Sequence, residues 1–240
     1  MKKGLVVITG ASSGIGKETA IEFSEKGYPL LLIARRLDLL ENLNLENTIC
    51  EKVDVLDLEN FQMAVKKAED KFGPVDCIIN NAGVMLLGKI EDQDPKEWQT
   101  MLDVNLKGLL NGIHIVLKKM IKRNTGTIIN ISSVAGRKTF PKHAAYCATK
   151  FGVHALTENL REEIASHNVR AITIAPGAVE TELLSHTTSD KIKSDYAKWK
   201  KDMGKILSPK DIANSILFAY EQPQNVCIRE IVIAATKQEP

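Results

Sequence analysis

Tyr146 and Lys150 stand four residues apart in the stretch Tyr146-Cys147-Ala148-Thr149-Lys150. On a helix that spacing turns the phenol and the ammonium toward one cleft. A phenol is a weak acid of pKa about 10, and a nearby ammonium favours its anion and lowers that value. Such a pair can give or take a proton while a carbonyl and an alcohol interconvert. Ser133 stands 13 residues earlier, directly after an apolar run. Its hydroxyl can hydrogen-bond a reacting oxygen or simply cap a turn, and Ser132 beside it is a rival. Asn105 lies mid-helix between Val104 and Leu106, where a polar amide needs a reason; satisfying backbone groups is the plain alternative to a catalytic one.

A second feature lies near the N-terminus, in Thr9-Gly10-Ala11-Ser12-Ser13-Gly14-Ile15-Gly16. The glycines fall between a buried strand and an amphipathic helix. That is where a dinucleotide pyrophosphate meets a helix N-terminus, and glycine lets the phosphate approach the backbone. A tight structural turn is the competing reading.

These groups need a scaffold to bring them together. Strand-length apolar runs recur at Leu5–Thr9, Leu30–Ala34, Thr48–Val53, Cys77–Asn80, Thr127–Ile131, Val169–Ala175 and Arg229–Ala234. Several are continuously apolar and β-branched, as in parallel strands buried on both faces. Helical patterns lie between them at Gly16–Lys26, Phe61–Phe72, Trp98–Lys122, Ala144–Ser166 and Pro209–Glu221. The first ends at Gly27, and the last opens with Ser208 as N-cap and Pro209 at the first helical position. The alternation predicts an α/β, doubly wound, mainly parallel seven-stranded sheet of Rossmann type, with helices on both faces. No linker or repeat divides it, so residues 1–240 read as one domain. Glu182–Ile206, polar and Lys-rich with Tyr196 and Trp199, reads as an insertion, a pair of short helices covering a substrate.

Composition narrows the function. In 240 residues, 32 Lys and Arg balance 30 Asp and Glu for a net charge of +2, and 44% of residues are hydrophobic. That is too apolar for disorder and too evenly charged for nucleic-acid binding. No apolar run has the length to span a membrane. Met1-Lys2-Lys3 is basic, but Leu5 to Ile8 is too short for a signal segment. The four cysteines, Cys50, Cys77, Cys147 and Cys227, form no CxxC pair, and the five histidines show no HxxxH or HExxH spacing. Reduced thiols, a cytoplasmic setting and no metal site are expected.

Taken in order, TGASSGIG at 9–16, Asp54-Val55, NNAG at 80–83, Asn105, Ser133, YCATK at 146–150 and Pro176-Gly177 with Thr181 resemble the short-chain dehydrogenase/reductase family along essentially the whole chain. The resemblance implies Tyr146 as acid/base and Ser133 as the group orienting the substrate oxygen, the 13-residue gap favouring it over Ser132. It implies Lys150 on the nicotinamide ribose, lowering the Tyr146 pKa, and Asn105 supporting a relay water. Gly10, Ser12, Ser13, Gly14 and Ile15 would hold phosphate, and Asp54 and Val55 the adenine. Asn81, Ala82 and Gly83 would line the adenosine ribose. Pro176, Gly177, Val179 and Thr181 would flank the nicotinamide.

The second strand ends at Ala34 and runs into Arg35-Arg36-Leu37-Asp38. A carboxylate at that place accepts from ribose hydroxyls, whereas guanidiniums clamp a 2′-phosphate. The pair predicts NADP(H); solvated helix-start charges are the alternative. For the substrate, Tyr196 and Trp199 suit an apolar group and Lys191, Lys193 and Lys198 an acidic one, unless they form only a solvated helix. Phe140, His143, Met85 and Leu86 are further pocket candidates. The arginines and the ending CIREIVIAAT resemble a branch acting on hydroxy acids or hydroxyamino acids. A broad carbonyl reductase fits as well, and a non-enzymatic redox sensor would not need the full Asn105, Ser133, Tyr146 and Lys150 set. The resemblance also implies a homotetramer, with a dimer next, paired through Trp98–Lys122 and Ala144–Ser166.

Overall fold

The computed structural model describes residues 3–239, so Met1, Lys2 and Pro240 lie outside the described residues. Seven strands form one sheet: β1 (Leu5–Thr9), β2 (Leu30–Ala34), β3 (Thr48–Lys52), β4 (Val75–Asn80), β5 (Gly126–Ile131), β6 (Val169–Pro176) and β7 (Glu230–Ile233). Every pairing is parallel, in the order β3-β2-β1-β4-β5-β6-β7. β1 sends its crossover toward β2, while β4 sends its own toward β5. All the strands point one way, so their C-terminal ends meet along one edge, and the split between β1 and β4 opens a crevice there.

The apolar runs are continuous because both faces are covered. In β1, Leu5 and Val7 join a cluster with Phe61, Val65, Ile113, Val153 and Leu160. Val6 and Ile8, offset by one, join the opposite cluster with Phe23, Ile129, Ile172, Ile212 and Ile216. Helices α1 (Gly14–Glu25) and α8 (Pro209–Tyr220) cover the second face. The first face is covered by α3 (Leu58–Phe72), α5 (Gly108–Arg123) and α6 (Ala144–Glu163). Gly27 has φ +78 just past α1. Ser208 caps α8, accepting from Asp211 N at 3.3 Å, with Pro209 at the first helical position.

Two elements differ from the sequence reading. The single helix expected over Trp98–Lys122 is three pieces: α4 (Pro95–Leu102), a π-helical turn at Asp103–Lys107, and α5. Asp94 caps α4 and Pro95 opens it, so it begins before Trp98. A π turn inserts a residue without breaking the apolar periodicity on either side, so the pattern alone reads as unbroken. A short helix α2 (Leu37–Glu41) was not expected: it buries only Leu40 and has too few turns to show a period. Glu182–Ile206 holds a 3-10 turn at Glu182–His186 and helix α7 (Asp190–Met203). No helix among the described residues is long and apolar enough to cross a membrane.

At the mouth of the crevice the chain packs against itself. Gly10 adopts φ +65, and a Cβ there would lie 2.8 Å from Ala82 Cα. A Cβ on Gly16 would overlap the Gly10 carbonyl oxygen and Asn81 Nδ2. Gly16→Ala should therefore lower the free energy of unfolding by about 1–3 kcal/mol, even though alanine is the better helix former. Urea titration checks this, and an unchanged midpoint would contradict the packing described.

Candidate active site

The crevice is a cleft of about 810 Å³ running along the C-terminal ends of the strands. On its β2 and β3 side lie Arg35, Arg36, Asp54 and Val55. Across β1 and β4 lie Gly10, Ser12, Ser13, Gly14, Ile15, Asn81, Ala82 and Gly83. On the β5 and β6 side lie Ser133, Tyr146, Lys150, Pro176, Gly177, Val179 and Thr181. Of the catalytic and cofactor-binding residues expected from the sequence, Asn105 alone does not line the cleft.

The glycine-rich turn is tied to the segment after β4 by polar bonds. Thr9 Oγ1 accepts from Asn81 N and Ala82 N, both at 3.0 Å. Asn81 Nδ2 donates back to Thr9 O at 2.9 Å and Gly10 O at 3.2 Å. Ser13 stands at the N-cap of α1 but makes no side-chain cap, leaving the first amides of that helix for an anion. With the close backbone approach at Gly10, this cradle fits a pyrophosphate. Asp54 Oδ1 accepts from Leu56 N at 3.0 Å, which orients its carboxylate. Val55 is held through its carbonyl by Asn111 Nδ2 at 2.8 Å.

Tyr146 and Lys150 are both buried on α6. Lys150 Nζ lies 5.7 Å from the centre of the Tyr146 ring and donates to Ile131 O at 3.0 Å. Burial lowers the Lys150 pKa to about 8. The Tyr146 phenol does not show the depressed pKa expected from its lysine. Burial pushes it well above the ordinary tyrosine range, against a hydrogen bond with Ser133 that works the other way. Ser133 Oγ also accepts from Ala135 N at 3.1 Å, so it caps the short turn Val134–Gly136 as well as meeting the phenol. Ser132 is engaged elsewhere: its Oγ donates to Lys150 O at 3.1 Å and lies 2.9 Å from His154 Nδ1.

Asn105 stands behind the cleft wall. Its Oδ1 accepts from Val84 N at 2.8 Å, while Nδ2 donates to Val84 O at 3.0 Å and Thr149 Oγ1 at 3.1 Å. Thr149 Oγ1 in turn donates to Tyr146 O at 2.8 Å. These side-chain bonds fasten the segment after Gly83 to α6. The π turn carries Asn105 at its centre and aims the amide inward.

Beyond Tyr146 the cleft wall is apolar and aromatic. His143 lies 5.7 Å from Phe140, 6.4 Å from Tyr146 and 6.4 Å from Tyr196, and Tyr196 lies 5.2 Å from Trp199. Burial lowers the His143 pKa, with Lys142 adding to it, so the imidazole is neutral near pH 7. Met85 lines the cleft, but Leu87 does so rather than Leu86. Lys191, Lys193 and Lys198 do not line it. Lys142 and Lys200 do, and each is already paired, with Asp195 and Glu180 at 3.0 Å. Three positioning residues escaped the sequence reading. Thr187 Oγ1 donates to Met85 O at 3.2 Å and accepts from Leu87 N at 3.1 Å. Thr149 is named above. Gln238 Oε1 accepts from Ala178 N at 2.8 Å, steadying the segment after β6. Among the described residues no group of three or more His, Cys, Asp or Glu side chains is placed to hold a metal, and all four cysteines are free thiols.

Known proteins resemble this chain over nearly its whole length. A family profile for short chain dehydrogenases matches residues 4–192. An uncharacterized oxidoreductase of Staphylococcus saprophyticus is 41% identical over 244 residues, covering 99% of this chain and 98% of that protein. The closed form of serine dehydrogenase complexed with NADP+ has a TM-score of 0.91 at 28% identity, over 98% of this chain and 96% of that one. An alcohol dehydrogenase from the archaeon Thermococcus sibiricus, complexed with 5-hydroxy-NADP, has a TM-score of 0.86 at 27% identity over 99% of both chains. The chain belongs to the short-chain dehydrogenase family and is an oxidoreductase.

Replacing Asn105 by Ala leaves the Val84 N–H and C=O buried without partners. The expected cost is about 2–6 kcal/mol, since each of the two stranded groups loses roughly 1–3 kcal/mol. Denaturant unfolding measures it, and a loss below about 0.5 kcal/mol would rule out the fastening role.

Proposed function

We propose that this oxidoreductase moves a hydride between NADP(H) and a small alcohol or carbonyl compound. The observation that carries the reading is the pair of ends of one cleft: Arg35 and Arg36 beside β2, and Ser133, Tyr146 and Lys150 beside β5. The residues that follow β2 bring no carboxylate to its end; Asp38, the nearest acid in sequence, lies in the first turn of α2. Charge-assisted bonds from guanidinium to a 2′-phosphate contribute about 1.5–3 kcal/mol each, one to two decades of cofactor preference. The likeness to structures holding NADP-type ligands supports the same choice.

In this reading the α1 N-terminus with Gly10, Ser12, Ser13, Gly14 and Ile15 holds the pyrophosphate. Asp54 and Val55 hold the adenine, and Asn81, Ala82 and Gly83 line the adenosine ribose. Pro176, Gly177, Val179 and Thr181 flank the nicotinamide, and Lys150 holds its ribose. When bound, the cofactor supplies the carbon that gives or accepts the hydride. The chain's own groups manage the proton. In carbonyl reduction, Tyr146 Oη donates its proton to the carbonyl oxygen and Ser133 Oγ donates a hydrogen bond to the same oxygen. Burial keeps the phenol protonated, so the residue begins with the proton it must give. The phenolate that remains is stabilised by the Lys150 ammonium.

For the substrate, the aromatic wall and the ion-paired state of Lys142 and Lys200 support a broad carbonyl reductase. The likeness to serine dehydrogenase supports a hydroxyamino acid. Exposed Leu110 on α5 and Phe151 on α6 support association through those helices into a homotetramer.

Tyr146→Phe should retain NADPH binding by fluorescence yet lose about 10²-fold or more in turnover. A panel of aryl and alkyl ketones and hydroxy acids, followed by nicotinamide absorbance, tests both; full turnover by the variant would refute the acid/base assignment. The pH profile supplies a second check. Lys150 carries its charge below about 8 and loses it as pH rises through that value, so kcat/KM for reduction should fall above about pH 8. A rate that stays level to pH 10 would contradict the role given to its ammonium.

A further inference from the structure

Arg36 already engages an anion of its own chain. Glu182 Oε2 lies 3.4 Å from Arg36 Nη1 and 3.5 Å from Nη2. Nη2 also donates to Ser13 Oγ at 3.0 Å and Ser12 Oγ at 3.2 Å, drawing the guanidinium over the glycine-rich turn. Glu182 opens the turn Glu182–His186, the head of the segment that covers the substrate end. His186, which closes that turn, sits in the same field. Burial lowers its pKa first, Arg35 and Arg36 lower it further, and Glu182 opposes them. Thr181, one residue before Glu182, is near contact with the same turn: a Cβ on Gly14 would lie 3.1 Å from its Cγ2. The head of the cover thus rests on Arg36 and the phosphate cradle at once.

We propose that Glu182 is a specificity-determining residue that competes with the cofactor 2′-phosphate for Arg36. The inference rests on the NADP(H) reading above. A carboxylate beside the guanidinium repels an incoming phosphate, so the phosphate must displace it. The pair is open to solvent, with Arg36 49% and Glu182 65% exposed. Exposed pairs are weak and screened by salt, so a phosphate carrying more charge displaces the carboxylate readily. Displacement frees the head of the cover from Arg36. NAD(H), which carries no 2′-phosphate, leaves the pair closed. Cofactor choice and the state of the cover are then linked through one side chain.

The test is the dissociation constant of NADPH and of NADH, read by nicotinamide fluorescence without substrate. The proteins are wild type, Glu182→Gln, Arg36→Ala, the double variant Arg36→Ala/Glu182→Gln, and Arg35→Ala/Arg36→Ala. Glu182→Gln keeps the side-chain shape at an exposed position, so folding is not at issue. It should tighten NADPH binding about threefold or more at low ionic strength, leave NADH unchanged, and lose its advantage in high salt. In the Arg36→Ala background the same change should have no effect. If Glu182→Gln leaves NADPH binding unchanged or weakens it, or acts equally without Arg36, the competition is refuted. The NADP(H) reading then stands as long as Arg35→Ala/Arg36→Ala still lowers the NADPH preference. If removal of both arginines leaves the preference intact, that reading falls and the competition falls with it.

Discussion

The cleft depends on how β1 and β4 end. Their crossovers leave toward opposite sides of the sheet, so no helix closes over the gap between them. The backbone that emerges there must find its hydrogen bonds without a helix or a further strand. Thr9 and Asn81 supply them, each bonding the other's segment, and glycine at 10 and 16 lets the segments approach closely enough. The amides at the start of α1 then point into a gap with fixed walls. The arginines at one end and Tyr146 at the other take their separation from the strand spacing of the same sheet.

At the chemical end, burial and charge pairing pull in opposite directions. A neighbouring cation should make a phenol more acidic, yet Tyr146 is less acidic than a free tyrosine because its surroundings solvate neither ion. Lys150 obeys the same rule with opposite sign: burial makes its ammonium the more acidic one, and a single carbonyl, Ile131 O, accepts from it. The protein therefore rests with the proton on the phenol. In the proposed reading, the phenol gives that proton up as negative charge develops on the bound carbonyl oxygen that takes it.

The inner strands were readable because they are covered on both faces and strongly apolar, and the half-buried edge strands β3 and β7 still stand out as short runs, with ends that shift by only a residue or two. The glycine-rich turn and the YxxxK pair were readable because their chemistry demands fixed residue types. What escaped depends on direction rather than type. Asn105 is polar on an apolar helix, which marks it as important, but only the π turn shows that its amide faces Val84 and Thr149. Leu86 and Leu87 are adjacent leucines, and which one meets the cleft turns on a backbone angle that no pattern encodes. Lys191, Lys193 and Lys198 looked available because sequence gives no hint of which face of α7 turns inward. Gln238 is a polar residue in a C-terminal tail, and nothing local ties it to Ala178.

Thr187 and Met203 fix the two ends of the covering segment. The Thr187 hydroxyl is fastened to the irregular stretch at 85–87, and Met203 is packed with Ala178 and Ala235. Between those two buckles, Ile192, Tyr196 and Trp199 reach the cleft while most of their neighbours face water. A strap held this way can exchange its inward side chains without slipping along the cleft. In the proposed reading, substitutions on α7 would reshape the substrate end while the proton-handling residues and the phosphate cradle keep their places.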